Sequence, residues 1–530
     1  MLRGNDSQTL NPDCRHSGGA NMNIGFNLEQ SALHFPDHIA VFEGTRQITF
    51  AEFHRDSSLI ASALVGAGVR PGDHVALCAP NSYAWLAFYF GVLKAGATAV
   101  TFSHLLAINE LSQIITDCRP KAMFLANEKL DDLKDIRRHS GIDLVICDDG
   151  DFSYAQFLKK GSPDSGVIDR DRKDIAAILY TGGTTGTPKG AMLSHENIQT
   201  SIFNVAHYER STERDRALCF LPLNHVFAQI HIMNASVYSG SGIVVQPAFD
   251  MDKALDAIAE FEVTKFYSVP TIYIRMLELE KIKERIHTVR YCFSAAASMA
   301  TEVVREWKIK TGLDIHEAYG MTESASMVTY NHYYRHVVGS VGTPANLVEV
   351  QIRDFDGNVL EQGRQGEICI RGPNISRGYL NHPEETQAAF WGPWFRSGDI
   401  GFMDKDGYLF IVDRLKDMVI TGGENVYPRE VEEVLYSRPE VLECAVVGLP
   451  DREYGEQVAA FIVSTRGQRP DPEVLKAFLK KKLAGFKVPK KFIVVDELPK
   501  NSAGKLLKRK IREQYGKLQD NRSGRKGHGF

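Results

Sequence analysis

Residues 180–190, Tyr-Thr-Gly-Gly-Thr-Thr-Gly-Thr-Pro-Lys-Gly, limit what this chain can fold into more than any other stretch. Three glycines and four threonines lie between Thr181 and Pro188, a composition that suits neither helix nor strand. An apolar run at 175–179 reads as a buried strand before it, and residues 191–198 read as a turn entering a helix after it. Such a loop offers backbone N–H groups, hydroxyls and one positive charge at Lys189, which is the inventory needed to wrap a polyphosphate. An ordinary Gly/Thr surface loop is the bland alternative.

The loop is not a Walker A sequence, because Pro188 separates Thr187 from Lys189 and Gly190 follows the lysine. No Gly-x-Gly-x-x-Gly opens a helix, which leaves a dinucleotide fold unsupported. Gly-x-Ser-x-Gly and His-Glu-x-x-His are both missing, so an esterase or a zinc protease would lack its usual motif.

A length of 530 residues exceeds what one core organises, and about two to four domains are expected. A net charge of −4 argues neither for nor against a nucleic-acid partner, and no nucleic acid is expected as a partner. Eight scattered cysteines without Cys-x-x-Cys point to reduced thiols in a cytoplasmic protein. Residues 1–21 are polar and read as disordered, or as sequence upstream of a start near Met22. The most membrane-like segment, 84–102, is interrupted by Lys94 and carries Gly91, Gly96 and Ala97, so it reads as a core helix and strand rather than a span.

From Asn27 to about Asp174, strand and helix patterns alternate, which predicts a layered α/β domain with a mostly parallel sheet. Residues 219–227 end a strand and open an apolar helix carrying His225, Val226 and Phe227. The small residues Ala295 and Ala296 follow another strand and would let a flat ring lie against the backbone. His332 and His336 stand four apart with no third ligand nearby, so a surface or pocket-rim turn is the better reading than a metal site. Short alternating strands with Gly turns from Val348 to Arg371 predict a small β subdomain, and 440–497 reads as a separate α+β domain. The basic run 476–526 reads as a solvated face, with an attraction to phosphates as the alternative.

The loop, together with Leu221-Pro222-Leu223-Asn224-His225-Val226, Tyr319-Gly320-Met321-Thr322-Glu323, Ser397-Gly398-Asp399, Asp413-Arg414-Leu415-Lys416 and Ser502-Ala503-Gly504-Lys505, resembles the ordered motifs of the adenylate-forming enzymes. These include acyl-CoA synthetases, aryl-CoA ligases, luciferases and peptide-synthetase adenylation domains. The resemblance covers residues 27–512. It implies that Thr181, Gly182, Gly183, Thr184, Thr185, Gly186, Thr187 and Lys189 surround the phosphates of ATP, and that the Thr184 hydroxyl and Glu323 hold Mg2+. Ala296, Tyr319, Gly320 and Thr322 then contact the nucleotide, with Tyr319 on the adenine and Thr322 on the α-phosphate. Asp399 and Arg414 take the ribose. His225, Val226, Phe227, Ala295 and Ala318 line the acid's pocket, with His225 beside its carboxylate. Lys416 becomes a hinge, Lys505 a catalytic cation, and Gly422, Gly423 and Glu424 the lining of a channel for the coenzyme A arm. The run at 295–298 departs from relatives, which usually carry glycine there.

The fold expected on this basis is α/β. Residues 22–413 form a large multi-layer domain of parallel and mixed sheets with the β subdomain, 414–416 the hinge, 417–515 a small mobile α+β lid, and 516–530 a basic tail. Activity is expected in two half-reactions, adenylation of a hydrophobic acid, with a medium- or long-chain fatty acid foremost, and thioesterification to coenzyme A. An aryl acid, or a carrier-protein phosphopantetheine as acceptor, are the alternatives, and a nucleotide or acyl-CoA sensor is the non-enzymatic one. No transmembrane segment is expected; a peripheral membrane contact and a homodimer stay open.

Overall fold

The computed structural model describes residues 22–181, 188–297, 299–465, 467–501 and 505–523. The readings made for 1–21, for Gly182 to Thr187, for 502–504 and for 524–530 lie outside the described residues.

Two large sheets carry the first four hundred residues. One has nine strands in the order Thr343–Pro344, Thr329–Tyr330, Ile315–Tyr319, Tyr291–Ser294, Lys265–Ser268, Arg216–Cys219, Gly242–Val245, Ile39–Glu43, Arg46–Thr49. Its six members from Ile315–Tyr319 to Ile39–Glu43 pair in parallel, and the edges turn antiparallel. The other has six strands, Leu144–Ile146, Ala122–Leu125, His74–Cys78, Thr98–Thr101, Ile175–Thr181 and Lys189–Ser194. Strands such as Thr98–Thr101, Ala122–Leu125 and Tyr291–Ser294 are buried at every position, the pattern of a parallel sheet covered by helices on both faces.

The membrane-like stretch resolves into the buried helix Tyr83–Lys94 and the strand Thr98–Thr101. Its Lys94 ammonium is held inside by Ser58 Oγ and the His54 carbonyl, each at 3.0 Å. Gly91 lets this helix close on Ile60 of the helix Phe50–Gly66, where a methyl group would collide. That packing buries Trp85, Tyr89 and Phe90 completely, and each such side chain contributes roughly 1.5–3 kcal/mol. No described helix is long and apolar enough to cross a membrane.

The segment after the Gly/Thr loop differs from its sequence reading. Lys189–Ser194 is a strand, antiparallel to Ile175–Thr181 with Thr181 opposite Lys189, and the helix His195–Tyr208 starts only after it. Ser194 and Asn197 cap that helix reciprocally, at 3.2 and 2.8 Å. The loop therefore joins two strands, and pairing across the sheet outweighs the turn-like composition of the short stretch.

The β subdomain is a five-stranded antiparallel sheet built from Glu349–Arg353, Gly366–Arg371, Phe390–Trp391, Trp394–Met403 and Leu409–Arg414. The C-terminal unit has its own five-stranded sheet, in which Val441–Asp451 and Gly455–Ser464 form a long hairpin and Lys491–Val494 pairs in parallel. Helices Pro428–Tyr436 and Pro472–Lys480 bury Val431, Leu435, Leu475 and Leu479 against it.

Helix Pro428–Tyr436 also docks on the large domain. The Thr301 amide donates to Glu433 at 3.3 Å, and Arg429 donates to the Ile411 carbonyl at 2.6 Å. Beneath lies Glu317, whose carboxyl is pushed up to about 7, chiefly by burial; Arg429 and the Met299 amide oppose the rise and Glu433 adds to it.

Candidate active site

Strands Arg216–Cys219, Lys265–Ser268, Tyr291–Ser294 and Ile315–Tyr319 run in parallel. Segments leaving their carboxyl ends therefore share one sheet edge, the place where open α/β sheets present ligands. His225, Ala295, Ala296 and the stretch 319–323 all leave by that edge.

Tyr319 ends its strand and donates its hydroxyl to Asp399 Oδ2 at 2.6 Å. The other carboxylate oxygen of Asp399 meets Arg414 Nε at 3.2 Å. Asp399 and Arg414 lie opposite each other on paired strands of the β subdomain, so the fold brings two distant motifs to one carboxylate. Burial and the neighbouring Asp399 hold the Tyr319 phenol well above its ordinary range, so it remains a donor. Gly320 is obligatory, because a Cβ there would overlap the Ser326 carbonyl.

Lys505 enters this group from the C-terminal unit. Its backbone is fixed by reciprocal bonds with Asn501, 2.8 Å to Asn501 Oδ1 and 2.9 Å from the Asn501 amide. Burial and the positive charges of Arg414 and Lys416 lower the Lys505 ammonium to about 8, with Asp399 and Asp417 opposing. Burial and Lys505 in turn press His225 down to about 4. Lys505 is thus within electrostatic reach of both the Asp399 pair and His225, and His225 is neutral at pH 7. Lys416 is also lowered, by burial first and Arg414 next; it stands in the short 3-10 turn Leu415–Asp417.

Lys189 begins its strand beside the segment 376–380. Its Nζ lies 3.4 Å from Glu385 Oε1 and 5.7 Å from the centre of the Tyr379 ring. Tyr379 donates its hydroxyl to Glu323 Oε1 at 2.8 Å, and the Ser376 amide donates to the Glu323 carbonyl at 2.7 Å. Thr322 and Glu323 form a single 3-10 turn closed by Ser324, half-buried at the cleft edge. The Glu323 charge is felt at Arg414, so the Lys189 and Asp399 groups are within electrostatic reach of one another. The Thr181 backbone pairs with Lys189 at its rim. Thr184, assigned to the metal on sequence, lies outside the described residues.

His225 caps the next helical stretch, accepting the Phe227 amide on Nδ1 at 3.3 Å. The apolar helix expected here has π geometry over Phe227–Asn234, with every residue buried; π turns cluster at functional sites. Val226 and Phe227 are buried with it. Phe227 packs on Phe293, His231 and Tyr267 at 5.6, 5.4 and 6.3 Å between ring centres. Behind them the fully buried Glu209 receives His231 Nε2 at 2.6 Å, Lys265 Nζ at 3.2 Å and the Tyr267 hydroxyl. Those three partners outweigh burial and keep the Glu209 carboxyl below its usual range.

Ala295, Ala296 and Ala318 are half-buried along the same edge. Ala296 sits at φ +69°, in the left-handed region where an L side chain costs about 1–2 kcal/mol. The departure from glycine noted in the sequence thus falls on a position that glycine would fill without strain. One expectation is not gathered into the site. Gly422, Gly423 and Glu424 form an exposed hairpin turn, anchored by the Gly422 amide on the Tyr454 carbonyl at 2.9 Å. His332 and His336 face different partners, Thr343 Oγ1 at 2.6 Å and the Ile315 carbonyl at 3.0 Å. Tyr379, Glu385, Glu209 and His231 were missed by sequence reasoning. Only His231 carried a signal, as a polar residue within an apolar helix.

A sheet edge carrying His225 and the 319–323 turn, the Asp399–Arg414 pair and cations from two domains thus come together. The AMP-binding enzyme profile matches residues 28–380 and the AMP-binding enzyme C-terminal domain profile matches 430–505; the chain belongs to this adenylate-forming family and is an acid–thiol ligase. It is similar to feruloyl-CoA synthase of an Amycolatopsis species, 34% identical over 91% of this chain and 96% of that one. It is also similar to a long-chain-fatty-acid–CoA ligase of Bacillus subtilis (strain 168), 32% identical over 92% and 93%. Among solved structures, ATP-bound MatB from Rhodopseudomonas palustris superposes with a TM-score of 0.88 at 35% identity, covering 94% of this chain and 99% of that one. Its apo form, at the same identity and coverage, gives 0.79.

Replacing Ala with Gly in ordinary elements costs about 0.5–1 kcal/mol. Ala296→Gly should instead leave the thermal midpoint unchanged or raise it, as scanning calorimetry would show.

Proposed function

We propose that this chain is an AMP-forming carboxylate–CoA ligase acting on a compact hydrophobic acid. The observation that carries this reading is the convergence of Lys505, Asp399, Arg414 and His225, four groups from separate motifs, at the sheet edge beside Lys189 and Glu323. Carboxylate oxygens are poor leaving groups, so an acid needs activation before a thiol can displace one. Attack of the acid on the α-phosphate of ATP forms the acyl-adenylate and releases pyrophosphate. Negative charge grows on the phosphates as this happens, and fixed cations stabilise it most effectively in a closed site. Lys189 reaches the phosphates from the loop side and Lys505 from the small domain. Asp399 accepts the ribose hydroxyls, Tyr319 and Ala296 flank the adenine, Gly320 keeps the turn beside it narrow, and Thr322 bonds the α-phosphate. Neutral His225 orients the acid's carboxylate.

Glu323 offers a hard carboxylate oxygen beside Lys189, the donor type Mg2+ takes when it retains water and bridges phosphates. With Thr184, Glu323 would hold that ion, which neutralises phosphate charge when bound.

The second half-reaction, attack by the coenzyme A thiol, calls for the 422–424 turn, which is exposed and remote here. We assign residues 22–413 to the ATP and acid domain, 414–416 to a hinge at Lys416 and 417–515 to a lid whose rotation exchanges Lys505 for that turn. The lower score against apo MatB supports the view that the arrangement seen here is the adenylating one. The seven described cysteines, all buried free thiols, support a cytoplasmic setting.

The acid's class is read from the wall beyond His225. Phe227, Phe293, His231 and Tyr267 present ring faces, and Tyr291 and Tyr330 fill the space behind them without exposure. A planar aryl acid fits such a wall, while a long chain requires these rings to move aside. The medium- or long-chain reading keeps the support of buried Ile230 and Ile232 and of the Bacillus relative.

Lys505→Ala should abolish acid-dependent pyrophosphate exchange while sparing thioester formation from supplied acyl-AMP. In the wild type, kcat/KM for ATP should fall above about pH 8 as Lys505 loses its proton, and Lys505→Arg should remove that limb. Equal loss of both half-reactions would contradict the two-position scheme. A panel scored by pyrophosphate release should favour aryl and arylpropenoic acids over sixteen-carbon acids by about tenfold or more in kcat/KM; the reverse order would restore the fatty-acid reading.

A further inference from the structure

Among the described residues, Tyr379 addresses both groups assigned to the phosphate side of the site. Its hydroxyl donates to Glu323 Oε1 at 2.8 Å, and the Lys189 ammonium lies 5.7 Å from its ring centre, within range of a cation–π attraction. The backbone around it is tied to the strand Lys189–Ser194. Ala191 pairs with Tyr379 as an antiparallel bridge, the Leu380 amide donates to the Gly190 carbonyl at 2.8 Å, and the Met192 amide to the Gly378 carbonyl at 2.9 Å. Its own amide is held by Thr386 Oγ1 at 2.9 Å. The ring therefore has little freedom, and its two ends address a carboxylate and an ammonium.

We infer that Tyr379 is a positioning residue for adenylation: it orients the Glu323 carboxylate toward a divalent cation and sets the height of Lys189 over the phosphates. A carboxylate with one oxygen bonded to a fixed donor presents the other in a defined direction, and such outer partners typically change metal affinity 10–100-fold. The inference rests on the proposed role of Glu323 in holding Mg2+.

Tyr379→Phe retains the ring and removes only the hydroxyl. Mn2+ affinity for the enzyme–ATP complex, read by electron paramagnetic resonance, should weaken at least about tenfold. The Mg2+ concentration for half-maximal pyrophosphate exchange should rise in step, with thioester formation from supplied acyl-AMP and the thermal midpoint unchanged. Tyr379→Leu, which also removes the ring, should further raise KM for ATP. Unchanged Mn2+ affinity in Tyr379→Phe, or equal loss of both half-reactions, overturns the inference. Glu323→Gln measured alongside separates the two failures: if that variant binds Mn2+ as the wild type does, the assignment of Glu323 to the metal is wrong.

Discussion

Positive charge crowded into a closing cleft is the constraint on which this architecture depends. Arg414, Lys416 and Lys505 lower or compete with one another around Asp399, and burial worsens the conflict. A cleft arranged this way is relieved by a polyanion, because an added negative charge satisfies several cations at once. The protein holds the strained arrangement by spending contacts elsewhere: Lys508 on Glu432 at 2.8 Å and Arg512 on Asp417 at 3.1 Å tie the C-terminal helix down, and Glu433 fastens the neighbouring helix to Thr301.

The two domains contribute differently to that balance. The large domain supplies rigid positions, since its candidate residues leave the carboxyl ends of fully buried parallel strands. The small domain supplies the Lys505 charge. Lys505 directly precedes Leu506, which bridges Lys500, rather than standing on a helix, so its placement is set by docking of the whole unit.

Much of this was legible beforehand, for identifiable reasons. Asp399, Arg414 and Lys505 stand in short patterns whose order along the chain carries information, and the structure gathers them. The alternation of apolar runs with helical spacing reported the parallel sheets, because buried strands leave continuous apolar signatures. What stayed hidden depends on partners distant in the chain. The strand Lys189–Ser194 exists because Ile175–Thr181 pairs with it, and no local preference announces that. Tyr379 looks like any aromatic after a glycine until the fold sets it between Lys189 and Glu323. The Glu317, Arg429 and Glu433 contact joins residues more than a hundred positions apart.

The π geometry of Phe227–Asn234 has an evolutionary consequence. Such a stretch carries a residue in excess of what α winding needs, so losing one would not break the helix but rewind it. Side chains within the stretch would turn by up to about 100°, exchanging His231 for a neighbour in the ring cluster, while those beyond it would keep their faces. A chain built this way can acquire a different pocket by a single codon deletion, with the catalytic frame untouched.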